Sequence, residues 1–139
     1  MTALAADRMT PRRAATDVYH YDVKGAAKIY AGALTVLNAG YAAPGSVATG
    51  LVAVGRAEHY ADNSAGTNGD IKVKVRAGIF RFANSAAADQ ITRAEIGANC
   101  YVVDDQTVAK TDGSAARSVA GKVVDVDGVW VATGPGGVI

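Results

Sequence analysis

The chain has 139 residues, and its 14 Lys and Arg stand against 13 Asp and Glu, a formal net charge of +1. That length fits one ordinary domain able to bury roughly two-thirds of its unfolded surface, so no disulfide or metal is needed to hold it. The near-zero charge gives little pull toward phosphate backbones or anionic lipid and disfavours a dedicated nucleic-acid or membrane-surface binder.

Other counts narrow the architecture. The single Cys100 excludes a disulfide framework within one chain. Half of the residues are apolar but only 6% are aromatic, which is too apolar for disorder and poor in large core fillers. A core built this way is thin, and part of its stability is expected to come from other subunits. The acids divide as 11 Asp to 2 Glu, and Gly reaches 16. Glu favours helix surfaces whereas Asp and Gly favour caps and turns, so helices are expected to be few and turns many.

Residues 1–22 differ from the rest of the chain. Arg8, Arg12, Arg13, Asp7, Asp17 and Asp22 lie among small polar residues, and Thr10-Pro11 blocks a helix before it. This predicts an extended N-terminal arm, with a single β-rich domain over 23–139. The apolar run Ala3–Ala6 is too short for a secretory signal. Tyr19 and Tyr21 share one face of an extended segment with His20 on the other, so a first strand begins near there. Ile29 to Gly55 carries no charge, but five glycines, Pro44 and Asn38 break it up. It reads as strand, turn, strand, with Pro44-Gly45 as a type II turn, and not as a membrane span.

Farther along, Ile71, Val73 and Val75 alternate with Lys72, Lys74 and Arg76, the pattern of a half-buried strand. At Ala77-Gly78 the phase changes to Phe80 and Phe82 with Arg81 opposite, which predicts a bulge or sharp bend. Thr92 and Glu95 form a capping box and Gly97 a terminator, predicting one short helix near 92–97. Cys100–Val103 and Thr107–Lys110 read as strands joined by an Asp104-Asp105 turn. Lys122–Val126 and Val129–Val131 flank Asp127-Gly128, a type I′ hairpin signal. The Gly134–Gly137 tail cannot hold regular structure. About eight short strands with regular turns predict an all-β fold, a small β-barrel or β-sandwich. Trp130 and Phe80 are expected in its core.

The inventory for catalysis is thin. Cys100 with His20 or His59 is the only thiol and imidazole set, and Cys100 lies in an apolar strand where a thiol behaves as a small hydrophobe. No His, Cys or Glu falls at metal-ligand spacing. Asp104-Asp105 and Asp125/Asp127 sit in turns, where Asp serves backbone hydrogen bonding. Asp62–Asp70 has the composition of a calcium loop but lacks its ligand order and terminal Glu, so it reads as a mobile hairpin loop. No phosphate-cradling glycine motif is present. The expectation is therefore no enzyme and no cofactor or metal. Lys72, Lys74, Arg76 and Arg81 form the densest charge, with no acid between Ile71 and Ala88. They suit a solvated strand face or strand edge, and otherwise a partner or inter-subunit contact. An arm that cannot fold alone gains order by lying on another surface.

Several segments in order carry a resemblance: Ala5–Arg13, Ile29–Leu34 leading through Ala39–Gly45, Val54–Glu58, Val73–Arg76 with Gly78–Phe82, Cys100–Asp105 and Ala120–Val126. Together they resemble the small capsid cement, or head decoration, proteins of tailed bacteriophages. The resemblance implies a β-rich, β-tulip-like domain, trimeric, on the outside of an icosahedral head near three-fold positions, stabilising the shell. It implies the major capsid protein as partner, no direct nucleic-acid or membrane contact, and residence on the virion after synthesis in the host cytoplasm. The family offers no catalytic residues to carry over. On this reading Arg8, Thr10, Pro11, Arg12 and Arg13 form the capsid-contact arm. The alternative is a phage surface module binding host glycan or envelope.

Overall fold

A computed structural model describes residues 2–9 and 18–134. Its strands are β1 (Val18–Asp22), β2 (Lys28–Ile29), β3 (Leu34–Asn38), β4 (Tyr41–Pro44), β5 (Val52–Ala57), β6 (Ala61–Asp62), β7 (Lys72–Arg76), β8 (Gly78–Asn84), β9 (Asn99–Val102), β10 (Thr107–Ala109), β11 (Val119–Asp125) and β12 (Val129–Thr133). They build an all-β molecule with two lobes. One is a five-stranded sheet in the order β1-β7-β5-β3-β4, and the other a closed barrel in the order β10-β8-β12-β11-β9. The short pair β2-β6 forms a further layer.

Each lobe has its own core. In the barrel, Phe82, Cys100, Val102, Val108, Val123, Val129 and Val131 are buried together, and β3 adds Leu34 and Val36 to the same cluster. On the other side of the sheet, Val73 and Val75 pack with Val23, Ile29, Val54, Ala57 and Ala61. Each fully buried aliphatic side chain of this size contributes roughly 1.5 to 3 kcal/mol, so many modest valines stand in for a few large aromatics. The alternation over 71–76 is realised: Val73 and Val75 are buried while Lys72, Lys74 and Arg76 face solvent.

The phase change at Ala77-Gly78 is the passage from one lobe to the other. β7 pairs with β1 and β5, whereas β8 pairs with β12 and β10. Only Ala77, itself buried, stands between them. Gly55 lies against this crossing at φ +132°, and a Cβ there would come within 2.2 Å of the Arg76 carbonyl oxygen. The close approach of two backbones requires glycine at that position.

Several expectations need correction. The helix near 92–97 is a single 3-10 turn, Arg93–Glu95, and a second one covers Ala87–Asp89. Its capping box is nevertheless present: the Thr92 amide and hydroxyl both donate to Glu95 Oε1, at 2.7 and 2.9 Å, and Gly97 ends the turn at φ +91°. Pro44-Gly45 is not a type II turn, because Gly45 lacks a positive φ and donates its amide to Leu34 O at 2.9 Å. The reversal lies earlier, at Ala39 and Gly40, whose φ values of 50° and 88° suit a two-residue hairpin between the paired Asn38 and Tyr41. The β11-β12 hairpin exists, yet only Gly128 has a positive φ there, so it is not type I′, which needs both central residues left-handed.

The arm boundary at residue 22 also moves. Val18–Asp22 pairs along its whole length with β7, so this stretch belongs to the sheet and forms one of its edges. Trp130 is not a core residue. Val129 and Val131 point into the barrel, which turns Trp130 outward to a half-buried position opposite Arg81.

Candidate functional site

Thr2–Met9 runs without regular structure and is exposed throughout. Leu4 is 73% and Met9 97% exposed, the two most accessible large apolar side chains described. Arg8 is exposed in the same stretch. Thr10, Pro11, Arg12 and Arg13, expected to contact a capsid, lie outside the described residues, as do Pro135 to Gly137 of the glycine-rich tail.

The basic group is divided. Lys72, Lys74 and Arg76 line one face of β7, and β1 covers the edge of that strand, so they are not edge lysines. Lys72 pairs with Asp22 on the neighbouring strand, whereas Arg76 reaches Glu58 at 3.4 Å, which also accepts from Arg56 at 2.8 Å. The Arg56 hydrogen bond, helped by the positive charge of Arg56 and Arg76, holds the Glu58 carboxyl below its ordinary value. Arg56 lies 4.4 Å from the ring centre of Phe80, so the charged sheet face touches the barrel through a cation over an aromatic ring. Arg81 stands apart, on the barrel, where its Nε donates to Asp127 O at 2.7 Å.

The thiol and imidazoles do not meet. Cys100 is fully buried among the barrel valines, and burial pushes its pKa up to about 12, so the reactive thiolate is disfavoured at neutral pH. His59 lies on the sheet lobe, accepting the Lys74 amide at Nε2 at 3.1 Å, and His20 is opposite Lys74 on β1. Among the described residues no three His, Cys, Asp or Glu gather to hold a metal ion. Asp104 serves its turn, accepting the Gln106 amide at 2.9 Å, and Asp125 accepts the Val126 amide at 2.8 Å.

The 62–70 loop is neither a hairpin nor loosely held. It joins β6 to β7, which lie in different sheets, and is tied down through buried Asn63. The Asn63 amide group donates to Val23 O, Lys24 O and Thr67 O at 3.2, 3.1 and 2.9 Å. Asn68 Oδ1 accepts the Gly25 amide, and Asp70 accepts the Thr67 amide, both at 2.8 Å. The composition that resembled a cation loop serves hydrogen bonds within the chain.

Two concave surfaces correspond to no pattern in the sequence. A groove of about 320 Å³ runs along the seam between lobes, lined by Leu51, Val52 and Ala53 of the sheet side and Val119, Ala120 and Thr133 of the barrel. Thr133 Oγ1 is buried there and is the one such side-chain atom without a hydrogen-bond partner among the described residues. The second concavity, about 360 Å³, is lined by Tyr30, Ala31, Gly32, Ala33, Asp105 and Gln106. Tyr30 comes directly after β2 and Tyr60 directly before β6, so the Ile29-Ala61 pairing brings their rings together at 5.4 Å and an interplanar angle of 27°. Two residues of pairing carry too little pattern to be legible in a sequence. No family model, curated protein or solved structure matches the chain.

Proposed function

We propose that this chain is a virion structural protein, a capsid decoration (cement) protein of a tailed bacteriophage. In this reading a homotrimer sits outside the icosahedral head near three-fold positions, and its arms hold the major capsid protein. The observation that carries the reading is the exposed segment Thr2–Met9, which displays Leu4 and Met9 to solvent, largely uncovered by the described body. Apolar side chains on an extended segment gain free energy when a second surface covers them. We take that surface to be the head shell on the resemblance of the ordered set of segments to the cement proteins.

The physics of such a fastener suits a small body without large aromatics. Packed DNA pushes a shell outward at every seam, and a molecule that bridges several capsid subunits must lose its contacts on all of them before a seam opens. Once one contact holds, the others act at high effective concentration, so weak clamps combine into a strong restraint. A trimer matches a three-fold position by symmetry and offers three arms together. A standard specific contact covers about 800 Å² per partner, within reach of a compact face plus an extended arm.

Deleting residues 1–13 tests this. The truncated chain should remain a folded trimer by light scattering and should lose binding to undecorated heads. Unchanged occupancy on heads would overturn the role of the arm, and heads equally resistant to heat with and without the full protein would overturn the cement function.

A further inference from the structure

The concavity beside Tyr30 has walls of contrasting chemistry. One wall is an aromatic ring: Tyr30 is 58% and Tyr60 49% exposed, and the pair keeps its stack in the open. The opposite wall is the turn between β9 and β10. Its backbone is fixed, since Asp105 O accepts the Leu34 amide at 2.8 Å and Gln106 O accepts the Ala83 amide at 2.7 Å. Both residues line the concavity, and their side chains make no hydrogen bond or ion pair with the described residues. The floor is Ala31-Gly32-Ala33, held by the Gly32 amide on Ala57 O at 2.9 Å. Each wall comes from a different lobe, and backbone hydrogen bonds place each one before any ligand arrives.

A flat aromatic face, a carboxylate and a carboxamide across a small-residue floor match one ligand chemistry closely. A pyranose presents a face of C–H groups and a rim of neighbouring hydroxyls. The ring face covers the first. The carboxylate accepts from two hydroxyls, while the carboxamide both donates and accepts. Tyr supplies rigid amphipathic contact area at small entropic cost, and prepositioned polar groups spare the ordering cost of binding. The volume is in the range of small-molecule sites. The Asp105 carboxylate disfavours anionic sugars, which would place like charges together.

We infer that the Tyr30, Asp105 and Gln106 concavity is a binding site for a neutral hexopyranose, such as a unit of a cell-surface polysaccharide. The site goes beyond a role on the capsid and does not depend on it.

The test titrates the full-length protein with D-glucose, D-galactose, D-mannose and N-acetyl-D-glucosamine, monitored by 1H–15N NMR. At least one of them should shift the Gln106 side-chain amide and the Gly32 and Ala33 backbone amides saturably, with a millimolar dissociation constant. Tyr30→Ala and Gln106→Ala should each weaken that binding at least about tenfold while leaving other resonances and the thermal midpoint in place, and Tyr30→Phe should keep it. No saturable shift with any of the four sugars would overturn the site, as would equal affinity of the two alanine variants and the unaltered chain. Preference for glucose 6-phosphate or sialic acid over every neutral sugar would overturn the assignment of ligand class. Loss of head binding in the arm deletion bears on the cement reading alone.

Discussion

The two lobes solve the same problem differently. The barrel closes on itself, so none of its strands presents an unpaired edge, and its interior is filled by valines around Phe82 and Cys100. The five-stranded sheet ends at β1 and β4, carries Lys72, Lys74 and Arg76 on open surface, and is paved on its other face by a layer that includes the two-residue strands β2 and β6. Closure gives rigidity and hides reactive chemistry, as the protonated Cys100 illustrates. Openness leaves charge and aromatic rings available. Apart from the exposed Thr2–Met9 segment, the concave surfaces described lie beside the sheet or at its seam with the barrel.

The largest expected effect breaks the joint between the lobes. Gly55→Ala would force a Cβ into the Arg76 carbonyl at a left-handed φ, costing about 3 to 5 kcal/mol and lowering the denaturation midpoint of both lobes together. If only the sheet unfolded early while barrel tryptophan fluorescence kept its own transition, the lobes would be independent units.

Next in size is the barrel core. Cys100→Ser places a hydroxyl among apolar neighbours and should cost about 1 to 3 kcal/mol in denaturant melts, more than Cys100→Ala. A thiol reagent should fail to label native protein at pH 8 and label it in denaturant. Rapid native labelling would contradict the buried thiol. Trp130→Ala, outside the barrel wall, should cost only about 1 to 2 kcal/mol, less than a fully buried indole would.

Acid sharpens the contrast because the paired carboxylates lie at lobe surfaces. Arg56 lowers Glu58, the Thr111 hydroxyl and then Arg117 lower Asp89, and the Thr92 amide and hydroxyl lower Glu95. Each folded value is below the unfolded one, so the stabilisation is present above roughly pH 4 to 4.5 and is lost as pH falls through the depressed value. The thermal midpoint should therefore drop between about pH 5 and pH 2, and Glu58→Gln should remove part of that drop. A midpoint flat across this range would contradict the ion pairs. The smallest effect is expected at Thr133→Val, which removes a hydroxyl that nothing described satisfies and should raise stability by up to about 1 kcal/mol.

The features legible in the sequence are local. The 71–76 alternation, the Thr92 and Glu95 capping box and the hairpin around Asp104-Asp105 depend on neighbours within a few residues, and each is present. Turn positions are ambiguous where two turn-forming pairs compete: Ala39-Gly40 reverses the chain, while Pro44-Gly45 ends an edge strand. The size of Trp130 argues for the interior, but the alternation set by Val129 and Val131 overrides it and turns the indole out. The Tyr30 concavity leaves no trace in the sequence because its walls are 75 residues apart, from Tyr30 to Asp105, and meet only through tertiary packing.

The single buried residue between β7 and β8 has a mechanical consequence. Tension arriving at β1 passes across the ladder to β7 and then through Ala77 straight into a strand of the closed barrel, with no slack linker to lengthen first. Strands sheared along their length resist as a set, their bonds sharing the pull, so the molecule transmits force as a stiff strut from its outermost strand to its barrel.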